Sequence, residues 1–219
     1  DSAHVSCYKY CDGQVTVTPA GGTGPYTHSW NTGSTNTTII NLCADTYFDT
    51  ITDSRGCRDT MNVVISEPDS LQALPLIINN VLCFGDSTAL VQSLVNGGTG
   101  PYSFDYGNGQ INNIGDTATN FTVGTHQLIL TDTRGCIDTN LFTISEPIIL
   151  TSSITDTIHA NCVCNASAIV TPVGGTIPYS YLWNDLSATT DSSAIGLCTG
   201  DYEVQVTDAN GCFDTSLLI

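Results

Sequence analysis

A six-residue pattern occurs three times in this chain and constrains its fold more than any other feature. It reads Gly-Gly-Thr-Gly-Pro-Tyr at 21–26 and 97–102, and Gly-Gly-Thr-Ile-Pro-Tyr at 174–179. A second pattern, Thr-Asp-x-x-Gly-Cys, follows each copy, ending at Cys57, Cys136 and Cys212. Two patterns in a fixed order, repeated at nearly constant spacing, are typical of tandem structural repeats. We therefore predict three repeats, over 1–68, 69–147 and 148–219.

The predicted repeats are incomplete at both ends of the chain. An apolar stretch follows Ser-Glu-Pro at the start of the second and third repeats, whereas the first has only a short segment before Cys7. The third repeat stops at Ile219, where Ser-Glu-Pro is due. We expect this sequence to be a piece of a longer protein. Another molecule is one possible source of the first strand of the first repeat.

Each repeat is small, and a domain of this size often needs a covalent staple. Ten cysteines are available for this purpose, and their density indicates an oxidising, extracellular setting. Cytosolic metal binding is less favoured, because the cysteines recur at distant positions instead of forming two close pairs.

The charge of the chain excludes two classes of partner. Four basic residues stand against 21 acidic ones, for a formal net charge of −17. This charge opposes binding to nucleic acid and to anionic membrane surfaces. No apolar run reaches the length of a membrane span, so we predict no membrane insertion.

Alternation of apolar and polar residues with a period of two dominates the sequence, as at 14–18 and 202–207. This pattern predicts half-buried strands, and Gly and Pro interrupt it too often for helices. We predict an all-β fold of three tandem immunoglobulin-like sandwiches, disulfide-stapled and arranged end to end, with Trp30 and Trp183 buried on the third strand.

A tyrosine corner is predicted where Leu-x-x-x-x-Tyr enters the penultimate strand, at Tyr47 and Tyr202. The tyrosine hydroxyl is expected to bond back to the preceding loop. The second repeat has His126 in place of this tyrosine and Tyr106 in place of the tryptophan. We expect it to be the more weakly packed repeat.

These residues resemble the SprB-type repeat of the gliding adhesins and related giant surface proteins of Bacteroidota. The resemblance rests on Gly-Gly-Thr-Gly-Pro-Tyr-x₃-Trp, on Leu-Cys-x-x-x-Tyr and on Thr-Asp-x-x-Gly-Cys followed by Ser-Glu-Pro. It covers essentially all three repeats. It implies an array on the bacterial cell surface, exported by the type IX system and acting in adhesion or surface motility.

Comparison of the repeats predicts one set of disulfides. The second repeat has Ser87 at the place of Cys11 and Thr122 at the place of Cys43, so both cysteines are lost together. This joint loss favours two pairs within repeats. These pairs are Cys11–Cys43 and Cys164–Cys198.

The other six cysteines leave two pairing schemes open. Pairing within each repeat is simplest and is favoured, although an immunoglobulin topology puts these cysteines at opposite ends of a domain. The alternative joins consecutive repeats. The first scheme is Cys7–Cys57, Cys83–Cys136 and Cys162–Cys212; the second includes Cys7–Cys136 and Cys83–Cys212.

Two features invite a metal interpretation, which we do not favour. His4 and His159 each precede a cysteine by three residues, and we interpret them as exposed histidines near disulfides. The aspartates of the repeated turn, Asp53, Asp132 and Asp208, are predicted to accept backbone N–H bonds in turns that a glycine completes. Calcium at these turns remains an alternative, and no other cofactor is predicted.

Seven short triplets match the O-glycosylation pattern of Bacteroidota, Asp-Ser/Thr followed by an apolar residue or threonine. Some will occur by chance in a chain this rich in Asp and Thr. Asp49 supports the interpretation, because it stands where the sister strands have Leu128 and Val204. The candidate acceptors are Ser2, Thr50, Thr60, Ser70, Ser87, Thr117 and Thr157.

The sequence contains no recognisable catalytic motif, and the glycine loop lies between strands without a following helix or lysine, so we predict no enzyme activity. A structural stalk or filament segment, whose partners are neighbouring repeats, is the favoured function. The alternative is an adhesive module that binds polysaccharide or a surface directly. Exposure of Tyr26, Tyr102 and Tyr179 in a row, or of Phe48, would favour that alternative.

Overall fold

A computed structural model describes residues 1–107, 111–112, 116–159 and 163–219; at Ile111, Asn112 and Asp156 only the backbone is described. The described residues form strands joined by turns and contain no helix, as the sequence predicts. None of them therefore forms a helix with the length and apolar character to cross a membrane.

The strands of the first repeat are β1 (Ser2–Ala3), β2 (Gly13–Thr16), β3 (Thr27–Trp30), β4 (Thr38–Leu42), β5 (Asp45–Thr52) and β6 (Arg58–Ile65). Those of the second are β7 (Gln72–Asn79), β8 (Ala89–Asn96), β9 (Ser103–Asp105), β10 (Ile111–Asn112), β11 (Thr117–Phe121), β12 (Gly124–Thr131) and β13 (Ile137–Ile144). Those of the third are β14 (Thr151–Ile158), β15 (Ala166–Val173), β16 (Ser180–Trp183), β17 (Ser193–Leu197), β18 (Tyr202–Thr207) and β19 (Phe213–Leu218).

The chain forms two compact units. The first unit comprises Asp1–Pro75, Ser93–Asp116 and Gln127–Leu141. The second comprises Leu76–Gln92, Thr117–His126 and Phe142–Ile219. The first unit thus holds all of the first predicted repeat, the second unit holds all of the third, and the second predicted repeat is divided between them.

In the first unit, the first repeat is a sandwich of two antiparallel sheets, ordered β1-β2-β4 and β3-β5-β6. Alternate residues of β2 and β5 are buried, so each strand turns one face to the interior. The core lies between the sheets, and it includes Val15 and Ile39 from one sheet and Trp30 and Tyr47 from the other. This division of strands is that of an immunoglobulin-like fold.

In the second unit, the third repeat has the same architecture, with sheets ordered β14-β15-β17 and β16-β18-β19. Its core joins Ala168 and Leu197 from one sheet to Trp183 and Val204 from the other. Both tryptophans are buried, as predicted, and their indole N–H groups donate to backbone carbonyls, Trp30 to Asn36 at 2.9 Å and Trp183 to Asp191 at 3.0 Å.

The second repeat follows the same strand order, with sheets β11-β8-β7 and β10-β9-β12-β13. Tyr106, which replaces the tryptophan, is fully buried, and its hydroxyl bonds to Ser93 Oγ at 2.9 Å and to the Asp116 carbonyl at 2.6 Å. Burial raises the pKa of the Tyr106 hydroxyl above its ordinary value, with the negative charge of Asp116 as a smaller cause.

The predicted tyrosine corners are present in the first and third repeats. The Tyr47 hydroxyl donates to the Cys43 carbonyl at 3.0 Å, and the Tyr202 hydroxyl accepts from the Cys198 N–H at 3.0 Å. In the second repeat, His126 Nε2 lies 2.9 Å from the Thr122 carbonyl oxygen. The histidine therefore makes a contact to the same loop that the tyrosine contacts in the other two repeats.

Candidate functional site: the connection between consecutive repeats

The turn of the second sequence pattern is organised by its aspartate. Asp53 Oδ1 accepts the N–H groups of Arg55 and Cys57, both at 2.9 Å, and Gly56 has a positive φ of 84°. Asp132 and Asp208 accept the same two bonds in their own turns. The predicted fold role of these aspartates is confirmed. Donation by the Cys57 N–H is the largest cause that holds the pKa of Asp53 below its ordinary value.

The same aspartates connect the turn to the Gly-Gly loop. The second oxygen of Asp53 accepts the Thr23 N–H at 3.1 Å, and the tyrosine of that loop, Tyr26, donates to the Gly21 carbonyl. The other copies repeat these contacts. Both glycines at the start of each loop have positive φ, a conformation that glycine adopts more readily than other residues. The two repeated sequence patterns are therefore parts of one structural element.

The Ser-Glu-Pro sequence fixes the loop that carries the first cysteine of each repeat. Glu67 Oε2 accepts the Lys9 N–H at 2.6 Å, and Glu146 Oε2 accepts the Gly85 N–H at 2.8 Å. Lys9 and Gly85 occupy equivalent positions and both have positive φ. The carboxylate therefore holds a tight turn directly after Cys7 or Cys83.

The structure gives His4 a hydrogen-bonding role. Its Nδ1 accepts the Ser66 N–H at 3.1 Å, and Asn80 Oδ1 accepts the equivalent Ser145 N–H at 2.9 Å. Histidine and asparagine are thus interchangeable acceptors here, which requires no metal. His159 is exposed. Within the described part of the chain, no group of three or more His, Cys, Asp or Glu side chains is arranged to hold a metal ion.

Two disulfides join consecutive repeats. Cys7 pairs with Cys136, and Cys83 pairs with Cys212. Both have a Cα–Cα distance of 5.6 Å and a sequence separation of 129 residues. The favoured within-repeat scheme of Cys7–Cys57, Cys83–Cys136 and Cys162–Cys212 differs from this structure. The repeated turn of each following repeat lies against the cysteine loop of the preceding one, so the nearest sulfur belongs to the neighbour.

A hydrogen bond accompanies each of these disulfides. Arg134, in the middle of the second turn, donates from Nη1 to the Val5 carbonyl at 3.2 Å. Asn210, at the equivalent position of the third turn, donates from Nδ2 to the Leu82 carbonyl at 3.0 Å. The same pair of elements, a cysteine loop and a turn, therefore meets twice with the same chemistry.

The other disulfides lie within repeats, as Cys11–Cys43 and Cys164–Cys198. They connect the start of the second strand to the loop before the penultimate strand. Cys57 is exposed and forms no disulfide in the described ranges. Cys162 lies outside the described residues.

The structure also places the candidate glycan acceptors. Thr50 and Ser70 are half-buried. The others are exposed, namely Ser2, Thr60, Ser87, Thr117 and Thr157.

The apparent mismatch at Asp49 has a packing explanation that the sequence did not reveal. Asp49 is 1% exposed, and its carboxylate contacts His28 Nδ1 at 2.6 Å and accepts the Ser29 N–H at 3.0 Å. His28 is also buried. The carboxylate is satisfied inside the core by a histidine on the neighbouring strand. Asp49 therefore gives no separate support for a glycan at Thr50.

The aromatic residues singled out for adhesion divide into two groups. Tyr26, Tyr102 and Tyr179 are half-buried, and their hydroxyls donate to the first glycine of their own loops. They do not form a row of exposed rings. Phe48 is exposed on β5, as predicted.

Comparison with known proteins identifies part of the sequence. The SprB repeat family matches residues 2–35 and 160–188, in the first and third predicted repeats, which together are less than a third of the chain. No curated protein matches the chain. Together with the all-β fold, this match supports an adhesin-like repeat module of the cell-surface type.

Solved structures resemble the chain only loosely. A tetra-tandem repeat in the extending region of a large adhesion protein has 10% identity and a TM-score of 0.26, with 98% of this chain and 71% of that chain covered. The N-terminal eight Ig domains of Down Syndrome Cell Adhesion Molecule have 12% identity and a TM-score of 0.34, with 87% and 32% covered. Dpr2 Ig1-Ig2 in complex with DIP-Theta Ig1-Ig3 has 9% identity and a TM-score of 0.31, with 99% and 94% covered.

Proposed function

We propose that this chain is a stalk or filament segment of a large secreted bacterial cell-surface protein, and that it holds an adhesive or motile activity away from the cell. The observation that carries the proposal is the pair of disulfides Cys7–Cys136 and Cys83–Cys212. A chain of independent binding modules has no need of a covalent bond between neighbours. A segment that transmits tension benefits from one.

The two disulfides overlap along the sequence, and together with the disulfides within repeats they limit how far the chain can stretch. The loop closed by Cys7–Cys136 and the loop closed by Cys83–Cys212 share residues 83–136. The shortest covalent path between the ends of the chain also uses a disulfide within a repeat, and runs from 1 to 7, from 136 to 164, and from 198 to 219. It contains roughly 55 residue steps, against roughly 218 for the backbone alone.

Several finer parts of the proposal follow the resemblance to gliding adhesins. They are export by the type IX system, a role in gliding or adhesion at the outer surface, and O-glycans at the exposed acceptors. The formal net charge of −17 supports a soluble, extracellular surface. The exposed Phe48 favours the alternative, direct binding of polysaccharide. The three loop tyrosines do not favour it, because they are half-buried and hydrogen-bonded within their own loops.

Single-molecule stretching between the two chain ends tests the proposal. In oxidising buffer, the fully extended chain should reach about 200 Å, and after reduction about 780 Å. Cys136→Ser combined with Cys212→Ser opens both links between repeats and should lengthen the oxidised chain to about 550 Å, because the two disulfides within repeats remain. The matched control is Cys57→Ser, which should leave the extension unchanged, because Cys57 forms neither link.

Two results would overturn the proposal. One is an oxidised chain that stretches as far as the reduced chain, because no covalent link would then limit extension. The other is a Cys57→Ser chain that lengthens, because Cys57 would then be part of a within-repeat disulfide.

A further inference from the structure

A short loop in the first repeat displays two tyrosines and the single lysine of the chain. It runs from Cys7 to Cys11, with Tyr8, Lys9 and Tyr10 between the cysteines. Tyr8 is 42% exposed and Tyr10 is 59% exposed, so both rings are open to solvent. The Lys9 Nζ atom lies 5.1 Å from the centroid of the Tyr8 ring, a cation–π contact that keeps the ammonium beside an aromatic face. We call residues 7–11 the Tyr-Lys-Tyr loop.

The Tyr-Lys-Tyr loop is fixed at both ends by covalent bonds. Cys7 is bonded to Cys136 in the turn of the following repeat. Cys11 is bonded to Cys43 within the first repeat. Inside the loop, the Tyr10 N–H donates to the Cys7 carbonyl at 3.0 Å and closes a tight turn. A backbone held in this way loses little conformational entropy when a ligand binds, and rigid tyrosines on such a backbone are typical of binding loops.

The charges around the loop balance, unlike those of the whole chain. Two positive groups, Lys9 and Arg134, stand against two negative groups, Asp12 and Glu67, whereas the net charge of the chain is −17. Ser6 donates its hydroxyl and its N–H to Asp12, and these bonds, the hydroxyl first, hold the pKa of Asp12 below its ordinary value. Glu67 accepts the Lys9 N–H. Both carboxylates are thus occupied, and an acidic ligand approaching Lys9 meets less repulsion than the net charge of the chain implies.

Lysine is not required by the turn itself. Lys9 has a positive φ of 60°, a conformation that is unfavourable for a residue with a Cβ atom. The second repeat has Gly85 at this place, with a φ of 80°, and the Asp86 N–H donates to the Cys83 carbonyl at 3.1 Å to close the same turn. Glycine therefore satisfies the fold better than lysine does. Residues held in an unfavourable backbone conformation are often found at functional sites.

We propose that the Tyr-Lys-Tyr loop binds a polysaccharide that carries carboxylate groups. The rings of Tyr8 and Tyr10 pack on the apolar C–H faces of sugar rings, and their hydroxyls contact sugar hydroxyls. The Lys9 ammonium pairs with the carboxylate of a uronic acid. This inference goes beyond the stalk proposal and does not require it. It gives the alternative function, direct binding of polysaccharide, a site that is separate from Phe48.

The shape and charge of the loop favour a saccharide over other macromolecules. The loop is a tight turn and not a strand edge, so it offers no row of backbone groups to an extended peptide. Nucleic acid needs several cations for its phosphates, and the loop has one lysine in a chain of net charge −17. A sugar with one carboxylate needs only the ring faces and the single cation that the loop displays.

The equivalent loop of the second repeat provides an internal comparison. Phe84, which stands at the place of Tyr8, is also exposed, so one ring is kept. Gly85 replaces the lysine, Asp86 replaces the second tyrosine, and Ser87 replaces the second cysteine. The second loop thus has a carboxylate where the first has a ring, and it has no cation. We expect it not to bind an acidic polysaccharide.

The test measures binding of the complete oxidised chain to immobilised polygalacturonate and to immobilised dextran, at low ionic strength and with EDTA present. The expected result is saturable binding to polygalacturonate and at least about tenfold weaker binding to dextran, because dextran has no carboxylate. Binding should weaken as salt is added, since the ion pair is exposed. In ¹H–¹⁵N NMR, trigalacturonate should shift the signals of Tyr8, Lys9 and Tyr10.

Substitution by residues of the second loop separates binding from folding. Lys9→Gly should weaken binding to polygalacturonate at least about tenfold, because a charge-assisted hydrogen bond is lost. The thermal unfolding midpoint should stay equal or rise, because glycine fits the positive φ. Tyr10→Asp should weaken binding by about the same factor, because it removes a ring and adds a like charge.

Two matched controls should leave binding unchanged. Arg58→Gln removes an exposed cation elsewhere in the first repeat, and Phe84→Ala removes the exposed ring of the second loop. An equal loss of binding in Arg58→Gln and Lys9→Gly would show attraction by charge alone and would overturn the proposal.

Three further results would also overturn it. They are unchanged binding of Lys9→Gly, binding to dextran as tight as to polygalacturonate, and binding to poly-glutamate as tight as to polygalacturonate, which would indicate an acidic protein as partner. These outcomes are separate from those of the stretching experiment. If the chain binds polygalacturonate but stretches fully when oxidised, the loop is retained and the stalk proposal fails. If extension is limited but polygalacturonate does not bind, the loop fails and the stalk proposal is retained.

Discussion

The cores of the first and third repeats lie between equivalent sheets, and at one pair of positions they differ in polarity. The first repeat has His28 and Asp49, both buried and in contact at 2.6 Å. The third has Tyr181 and Val204 at the same places. The tryptophan, the turn aspartate and the tyrosine corner are shared. The comparison teaches that the filling of the core can change from apolar to polar if every buried polar atom has a partner.

The largest loss of stability is expected when one member of the His28–Asp49 pair is replaced. Asp49→Val leaves His28 buried beside an apolar residue, and should lower the free energy of unfolding of the first repeat by about 3 kcal/mol. Tyrosine at position 28 restores the pairing found in the third repeat, so His28→Tyr with Asp49→Val should recover most of this loss. Urea unfolding is followed by Trp30 fluorescence in a Trp183→Phe background, so that only the first repeat reports.

The reciprocal change provides the control. In the third repeat, Val204→Asp places a carboxylate near Tyr181, where the first repeat has a histidine. This variant should destabilise the third repeat by at least as much as Asp49→Val destabilises the first. Here Trp183 reports in a Trp30→Phe background. If Asp49→Val leaves the free energy of unfolding unchanged, the histidine–aspartate contact does not stabilise the core.

A smaller loss of stability is expected at the tyrosine corner, which the first and third repeats share. Tyr47→Phe and Tyr202→Phe each remove one corner hydrogen bond, and each should lower the free energy of unfolding of its own repeat by about 1 kcal/mol. Trp30 fluorescence reports on the first variant and Trp183 fluorescence on the second. Tyr8→Phe, at an exposed tyrosine, should have no effect. Equal stability of all three variants would remove the corner from the features that hold both sandwiches.

The smallest effect is on acid titration. Backbone N–H donation, from Cys57 to Asp53 and from Thr189 to Asp185, is the largest cause that lowers the pKa of each carboxyl. Their stabilising contribution is complete above the unfolded pKa near 3.8, and is lost as the pH falls through the lower folded pKa. NMR titration should place both carboxyl midpoints below 3.8. A midpoint at or above that value would contradict the proposed N–H donation.

Much of the fold and part of the site could be predicted from the sequence. The turn aspartates and the tyrosine corners were accessible because their partners lie within five residues, where local geometry determines the contact. The His28–Asp49 contact spans 21 residues and depends on strand register. An aspartate breaking the apolar alternation of β5 was the only local signal for it. A histidine on the neighbouring predicted strand was the partner to look for.

The sequence favoured disulfides within each repeat for cysteines that join consecutive repeats in the structure, and this prediction was wrong. Pairing within a repeat has the shorter sequence separation, and nothing in one repeat's sequence records which loop of the next repeat lies against it. That information resides in the path of the junction, where Leu71 and Leu150 pack over the Gly-Gly loops.

The overlap of the two 129-residue loops also determines how the chain responds to damage. Every peptide bond from Cys7 to Cys212 lies inside at least one loop closed by Cys7–Cys136 or Cys83–Cys212. A protease that cuts any one of these bonds therefore leaves the two fragments joined by a disulfide. A single cleavage within this stretch would therefore not separate the two ends of the chain.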